Sequence, residues 1–186
     1  MPLQTVFKET QEKMHKAAEA VDRDFNTLRT GRASLALVDN VQVGAYGAKM
    51  PLKQLATVST PDSRTILIQP FDRNQMHAIE KAIMAANIGL TPNNDGKAVR
   101  LNIPPLTEER RRELVKLAKK MAEEGRIAVR NIRRHSNEQI KQTEKHHEIT
   151  EDDRDKATHK VQELTDKFIK EIDELLTRKE KEIMEV

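Results

Sequence analysis

The chain contains no cysteine. That excludes disulfides, a thiol nucleophile and thiolate metal sites, and it is compatible with a reducing, cytoplasmic setting. Tryptophan is also absent, there is one tyrosine, and aromatic residues make up only 3% of the chain. So few rings argue against an aromatic ligand pocket and against single-strand binding by base stacking. No apolar run approaches membrane-spanning length. The N-terminus, MPLQTVFKET, lacks the basic-then-apolar order of a signal peptide. No GxxxxGK[ST] phosphate loop and no HExxH is present. His146, His147 and Glu148 are adjacent on a turn, a poor arrangement for a shared metal. Asp152, Asp153 and Asp155 lack the glycine and distal glutamate of a calcium loop; negative charge at a helix start explains them better. These absences describe a binding protein without a cofactor, not an enzyme.

Charge is abundant instead, at 34% of the 186 residues, with a net +3. It is unevenly spread. Residues 105–149 carry twelve basic and eight acidic side chains, whereas residues 150–186 carry eight and twelve. A local argument for an anionic partner is therefore stronger than a global one.

The stretch from Thr107 to Lys145 organises the rest. Pro104-Pro105 favours a rigid extended entry. Thr107 suits an N-cap, and Glu108 and Glu109 complement the helix dipole. Leu114, Leu117, Ala118, Met121, Gly125, Ala128, Val129, Ile132, Gln139 and Ile140 recur at steps of three and four and predict one buried face. On the other side Arg112, Lys116, Lys119, Arg126, Arg130, Arg133, Arg134 and Lys141 fall within roughly a quarter of the helical wheel, interrupted by Glu123. A charge run is most often a solvated face. Here the patch uses arginine, which grips phosphate bidentately, and Asn131 adds a side chain that both donates and accepts.

Residues 3 to about 30 predict a first helix, with Leu3, Phe7, Met14, Ala18, Val21, Phe25 and Leu28 inward and Gly31 as a left-handed C′ stop. Residues 34–103 gather most of the glycines and prolines. Strands are expected at 41–46, 56–60, 65–69 and 99–103, the second and third paired as a hairpin around Pro61-Asp62-Ser63. A helix is expected from about Gln75 to Ala86, capped by Asp72 or Asn74, and residues 91–96 read as a loop. After a turn at His146-His147-Glu148, Thr150 and Asp153 form a capping box. The last helix should bury Ala157, Val161, Leu164, Phe168, Ile172 and Leu175. Three singly amphipathic helices pack as a bundle about 45–60 Å long. The expected architecture is α+β, an elongated three-helix bundle (1–30 and 106–186) with an inserted small β/α/β domain (31–105), L-shaped and hinge-linked. Thr30, Gly31, Pro104 and Pro105 mark the hinge.

Several motifs, taken together and in order, carry a resemblance: Arg29-Thr-Gly-Arg-Ala33, Asp62-Ser-Arg-Thr65, Pro70-Phe-Asp72, Ile79-Glu-Lys-Ala-Ile83, Gly89-Leu-Thr-Pro92, Pro104-Pro-Leu-Thr-Glu-Glu-Arg-Arg111 and Val129-Arg-Asn-Ile-Arg-Arg134. Over essentially the whole chain the sequence resembles the bacterial ribosome recycling factors. His135-Ser136-Asn137 departs from the family's usual Asp-Ala-Asn and changes the charge beside the arginines. The resemblance implies a tRNA-like outline, binding to the ribosome after termination, and subunit separation with elongation factor G, which hydrolyses the GTP. It implies contacts to large-subunit ribosomal RNA from Arg29, Arg32, Arg110, Arg130, Arg133 and Arg134. The helical pattern adds Arg126 and Asn131. The expected partners are the large subunit, its RNA and elongation factor G, with no membrane, no metal and a monomeric chain. A rival reading from the residues alone is a helical adaptor or co-chaperone that binds only protein. Salt-dependent binding to large subunits, lost on mutating the arginines, separates the two.

Overall fold

The computed structural model describes residues 2–185. Contacts divide them into two compact units: the residues up to Thr30 with Glu108–Glu185, and Gly31–Thr107.

The first unit is a bundle of α1 (Leu3–Asn26), α4 (Glu108–Lys145) and α5 (Glu151–Met184). α1 stops earlier than its glycine suggests. The amides of Thr27 and Leu28 donate back to Asp24 O and Phe25 O, and the Thr27 hydroxyl also donates to Asp24 O, at 2.6 Å. Those bonds satisfy the final carbonyls without a left-handed residue. Gly31 is therefore not the helix cap; its φ of 77° serves the turn beyond. At the start of α5 the capping box forms as the sequence indicates. The Thr150 hydroxyl accepts from the Asp153 amide, and the Asp153 carboxylate accepts from the Thr150 amide, both at 3.1 Å. The turn before it places His147 at φ 57°.

The bundle core is Val6, Met14, Ala18, Val21 and Phe25 of α1, Leu114, Ala118, Ala122, Val129 and Ile140 of α4, and Ala157, Val161, Phe168, Ile172 and Ile183 of α5. Three of the expected stripes shift. On α1, Leu3 and Phe7 are half-buried and the seam runs through Val6 and Thr10. On α4, Leu117 is exposed while Ala122, Ser136 and Thr143 are buried. On α5, Leu164 and Leu175 are half-buried while Thr165, Lys179 and Ile183 are inside. For Thr10, Ala122, Ser136, Thr143 and Thr165 the cause is that closely packed helices bury small side chains, whatever their polarity, where backbones approach.

Each buried hydroxyl is satisfied. Thr165 donates to Val161 O at 2.8 Å and Thr143 to Gln139 O at 2.9 Å. Thr10 donates to Val6 O at 2.6 Å and lies 2.6 Å from Ser136 Oγ. Its single proton is thus committed to the carbonyl, so Ser136 is the donor to Thr10 across α1 and α4. The helices approach closely at Gly125. A Cβ there would overlap Val21 Cγ2 and sit 3.4 Å from Ile172 Cδ1.

The second unit is α+β. A two-stranded hairpin, β1 (Gln42–Ala45) and β2 (Ala48–Pro51), turns at Tyr46 and Gly47 with φ of 51° and 77°. Left-handed values at both central residues are what a tight hairpin of matching twist needs. A single helical turn, α2 (Leu52–Leu55), leads to β3 (Ala56–Asp62), β4 (Thr65–Pro70), α3 (Met76–Ala85), β5 (Pro92–Asn94) and β6 (Val99–Asn102). The larger sheet is antiparallel in the order β3-β4-β6-β5. β3 and β4 form the expected hairpin. Asp72 is the residue that caps the helical turn before α3, accepting from the Asn74 amide at 3.0 Å. Residues 92–94 form a strand where a loop was expected: three polar-flanked residues carry no strand period, and pairing with β6 supplies their order. Val43, Ile66, Ile68, Ile79, Ile83 and Leu101 make the core of this unit.

Two outcomes follow from the bundle packing. Gly125→Ala gains about 1 kcal/mol of helix propensity but meets a stiff β-branched Val21, and overpacking costs about 1–3 kcal/mol. The melting temperature should fall, and Val21→Ala in the same chain should recover part of the loss in a double-mutant cycle. Phe168, 2% exposed, should cost about 3–5 kcal/mol as Phe168→Ala in chemical denaturation; a near-native midpoint would contradict its burial.

Candidate nucleic-acid interface

α4 carries the densest cationic surface in the bundle. Its 38 residues span about 57 Å at 1.5 Å per residue. Taking Val129 as zero and 100° per residue, Arg133 lies at about 40°, Arg126 at about 60°, Arg130 at about 100° and Arg134 at about 140°. The first two border the packed seam and the last two point away from it. The structure reflects that gradient.

Arg126 is drawn into the bundle, its side chain only 19% exposed. It donates to Asp173 Oδ1 of α5 at 2.7 Å and to Glu123 Oε2 at 2.9 Å. Burial opposes its charge, but the bonds from Asp173 and Glu123 outweigh that and raise its pKa. Arg130 shares the same carboxylate, reaching Glu123 Oε1 at 3.1 Å, and stays 39% exposed. Arg133 is half-buried and donates to Gln162 Oε1 at 3.3 Å; Gln162 in turn donates to Asp166 at 2.9 Å. Arg134, Asn131, Lys116, Lys119 and Lys141 are exposed. One face thus offers Arg130, Arg133 and Arg134 within little more than one helical turn, and Arg126 braces that face against α5.

The remaining sequence candidates are not on this stripe. Arg110 is exposed in the first turn of α4 and donates to Glu113 at 2.9 Å. It sits about 24 Å along the helix from Arg126, on the other side of the seam. Arg29 and Arg32 are exposed on the segment after α1, either side of Thr30 and Gly31. Thr30 is buried, at 6% exposure, and Pro104 and Pro105 are exposed.

Sequence reasoning singled out Glu123 only as an interruption of the stripe, and missed that it holds Arg126 and Arg130 while Asp173 and Gln162 of α5 hold Arg126 and Arg133. It also missed that two of the few rings are displayed. Tyr46 and Phe71, in the second unit, are 68% and 69% exposed. Among the described residues no cluster of three His, Cys, Asp or Glu could hold a metal, and no helix is long and apolar enough to cross a membrane.

The chain is similar to known proteins over nearly its whole length. The family model described as "Ribosome recycling factor" matches residues 21–184. The ribosome-recycling factor of Oleidesulfovibrio alaskensis is 56% identical over 184 residues, covering 99% of this chain and all of that one. The one from Nitratidesulfovibrio vulgaris is 53% identical over 186 residues, with both chains fully covered. A solution structure of a ribosome recycling factor aligns with a TM-score of 0.76 at 48% identity, over 99% of this chain and 98% of that chain. A second aligns with a TM-score of 0.64 at 45% identity, over 99% of this chain and all of that one. It is a model of the Thermus thermophilus ribosome recycling factor and the Escherichia coli elongation factor G bound to the E. coli post-termination complex.

Bonds from Arg126 and then Arg130 hold the Glu123 carboxyl below its usual range. A depressed value means these pairs are intact above the unfolded carboxylate range, about 4.3, and are lost as pH falls through the lowered pKa. An NMR titration of the Glu123 side chain should give a midpoint below that of a free glutamate; a midpoint at or above it would show that the shared pair does not form.

Proposed function

The chain belongs to the ribosome recycling factor family, and on that premise we propose that the Arg130–Arg134 face of α4 is its main docking surface for large-subunit ribosomal RNA. As a member of that family the protein binds the post-termination ribosome. With elongation factor G it separates the subunits and releases the messenger RNA. It is not an enzyme; the GTP is hydrolysed by the elongation factor.

The observation that carries the docking assignment is the graded arginine stripe. Arg130, Arg133 and Arg134 stand on one continuous helix, so the helix itself sets the spacing of the points from which their side chains leave. Each is a planar donor suited to phosphate. Asn131, at the apex of the same turn, adds a donor and acceptor for a base or ribose. Arg29, Arg32 and Arg110, which lie off this stripe, are separate candidate RNA contacts that the family resemblance adds. Arg126 belongs to this surface chiefly through its grip on Asp173, which sets the angle of α4 against α5.

Binding of this kind releases counterions and weakens steeply with salt. The inserted unit of residues 31–105 is the part on which the elongation factor acts. Gly31 on one connection and Pro104-Pro105 on the other are the points about which it turns. The bundle of residues 1–30 and 106–186 stays braced on RNA while that unit is pushed, and the push is spent on contacts between subunits. This work takes place in the cytoplasm, where post-termination ribosomes are found.

Arg130→Ala combined with Arg133→Ala should abolish ribosome binding at moderate salt and leave helicity unchanged. Each lost contact costs about 1–3 kcal/mol, taking hydrogen bonds to charged groups as the guide. Sedimentation with purified large subunits across a salt series measures this, and the double variant should also show a shallower salt dependence. Unchanged affinity in a folded variant would remove this face from the interface.

A further inference from the structure

The last two turns of α5 carry two charged side chains for which RNA docking has no use. Lys179 is buried, at 9% exposure, and its Nζ donates to Glu182 Oε2 at 3.3 Å. The other oxygen of that carboxylate, Oε1, accepts from Thr30 Oγ1 at 3.1 Å. Thr30 is the last residue of the bundle before the chain crosses into the second unit. A buried ammonium is tolerated only when paired, so Lys179 fixes Glu182, and Glu182 with both oxygens engaged fixes Thr30. On the same turn Met184 O accepts from Arg111 Nη1 of α4 at 3.4 Å. The end of α5 therefore touches both the segment that leaves the bundle and the helix that returns to it. Gly31, at φ 77°, is the next residue along.

We propose that Thr30, Glu182 and Lys179 form a latch that ties the outgoing segment to the bundle, so that turning begins at Gly31 and no earlier. Glu182 and Lys179 are then positioning residues for subunit splitting and not ribosome contacts. The inference rests on the recycling reading given above. Its physical content is mechanical. A force applied to the inserted unit does work on the bundle only if the base of the connection does not yield. With the Thr30 hydroxyl released, residues 29 and 30 join the slack segment, and part of the stroke is absorbed there. Hinges of this kind are a few element-terminal residues that take up large backbone changes, and the latch decides how many residues share the change.

The test uses the full chain. Thr30→Val keeps the volume and β-branching but removes the donor; Thr30→Ser keeps the donor. Lys179→Met removes the charge that fixes Glu182. In Thr30→Val, amide exchange across residues 27–34 should speed up about tenfold. Affinity for post-termination ribosomes should stay within about twofold, and the splitting rate with elongation factor G and GTP should fall about fivefold. Thr30→Ser should match wild type in all three readouts, and Lys179→Met should move in the direction of Thr30→Val. Wild-type exchange and splitting in Thr30→Val would overturn the latch. So would equal impairment in Thr30→Ser, which would assign the effect to methyl packing, or a collapse of ribosome affinity, which would make Thr30 a contact residue. If Thr30→Val fails to fold by circular dichroism, Lys179→Met decides by the same readouts. Failure of the wild-type chain to split ribosomes would instead sink the recycling reading, and the exchange data would still judge the latch.

Discussion

The close approach of α4 to its neighbours at Gly125 is the constraint on which the bundle depends. The space that a side chain would fill is already taken by Val21 of α1, with Ile172 of α5 at the edge of contact. A hydrogen at this position lets three helices meet near one level, and small residues continue the seam at Ala118, Ala122 and Ser136. Close backbones bring more atoms into dispersion contact per turn. They also leave room only for short polar groups, which is why the buried hydroxyls are threonine and serine, each bonded within a helix or across to the next.

That packing determines what each arginine of α4 can do. Residues within about 60° of the seam are reached by side chains of α5, and those beyond about 100° are not. Arg126 falls on the near side and joins Asp173; Arg134 falls on the far side and stays in water. Glu123 bridges the two zones, holding Arg126 and Arg130 through separate oxygens. The shared carboxylate holds Arg126 and Arg130 in defined positions and limits the order lost when phosphate replaces solvent. It also caps the local positive field with one acid, a natural brake on indiscriminate attachment to RNA.

Toward the C-terminal end of α5 the same chemistry serves a different purpose. A carboxylate again holds two partners, this time a buried lysine and a threonine on the segment that leaves the bundle. In both places an acid from one segment sets the position of a group on another, so the charged residues of this chain do as much to orient its segments as its sparse aromatics do.

Much was legible before any coordinates. Long uninterrupted helices, the capping box at Thr150 and Asp153, the β3–β4 hairpin and the arginine stripe follow from periodicity and turn chemistry, because those signals are local and repeat many times. The ordered run of motifs from Arg29 to Arg134 was enough to point to the family. What the tertiary structure alone decided was which of several adjacent residues faces inward and which charges are already taken. Thr10, Ser136, Thr165 and Lys179 are buried against their polarity, because burial depends on how near the next helix comes, and the packing of all three helices decides that. The end of α1 at Asn26 and the strand at 92–94 depend likewise on bonds that compete with or complete a weak local preference. The helical wheel puts Arg126 nearer the seam than Arg130, but nothing in the sequence says which side chain stands opposite it. Only the presence of Asp173 on a helix 47 positions away makes one a brace and leaves the other for the ribosome.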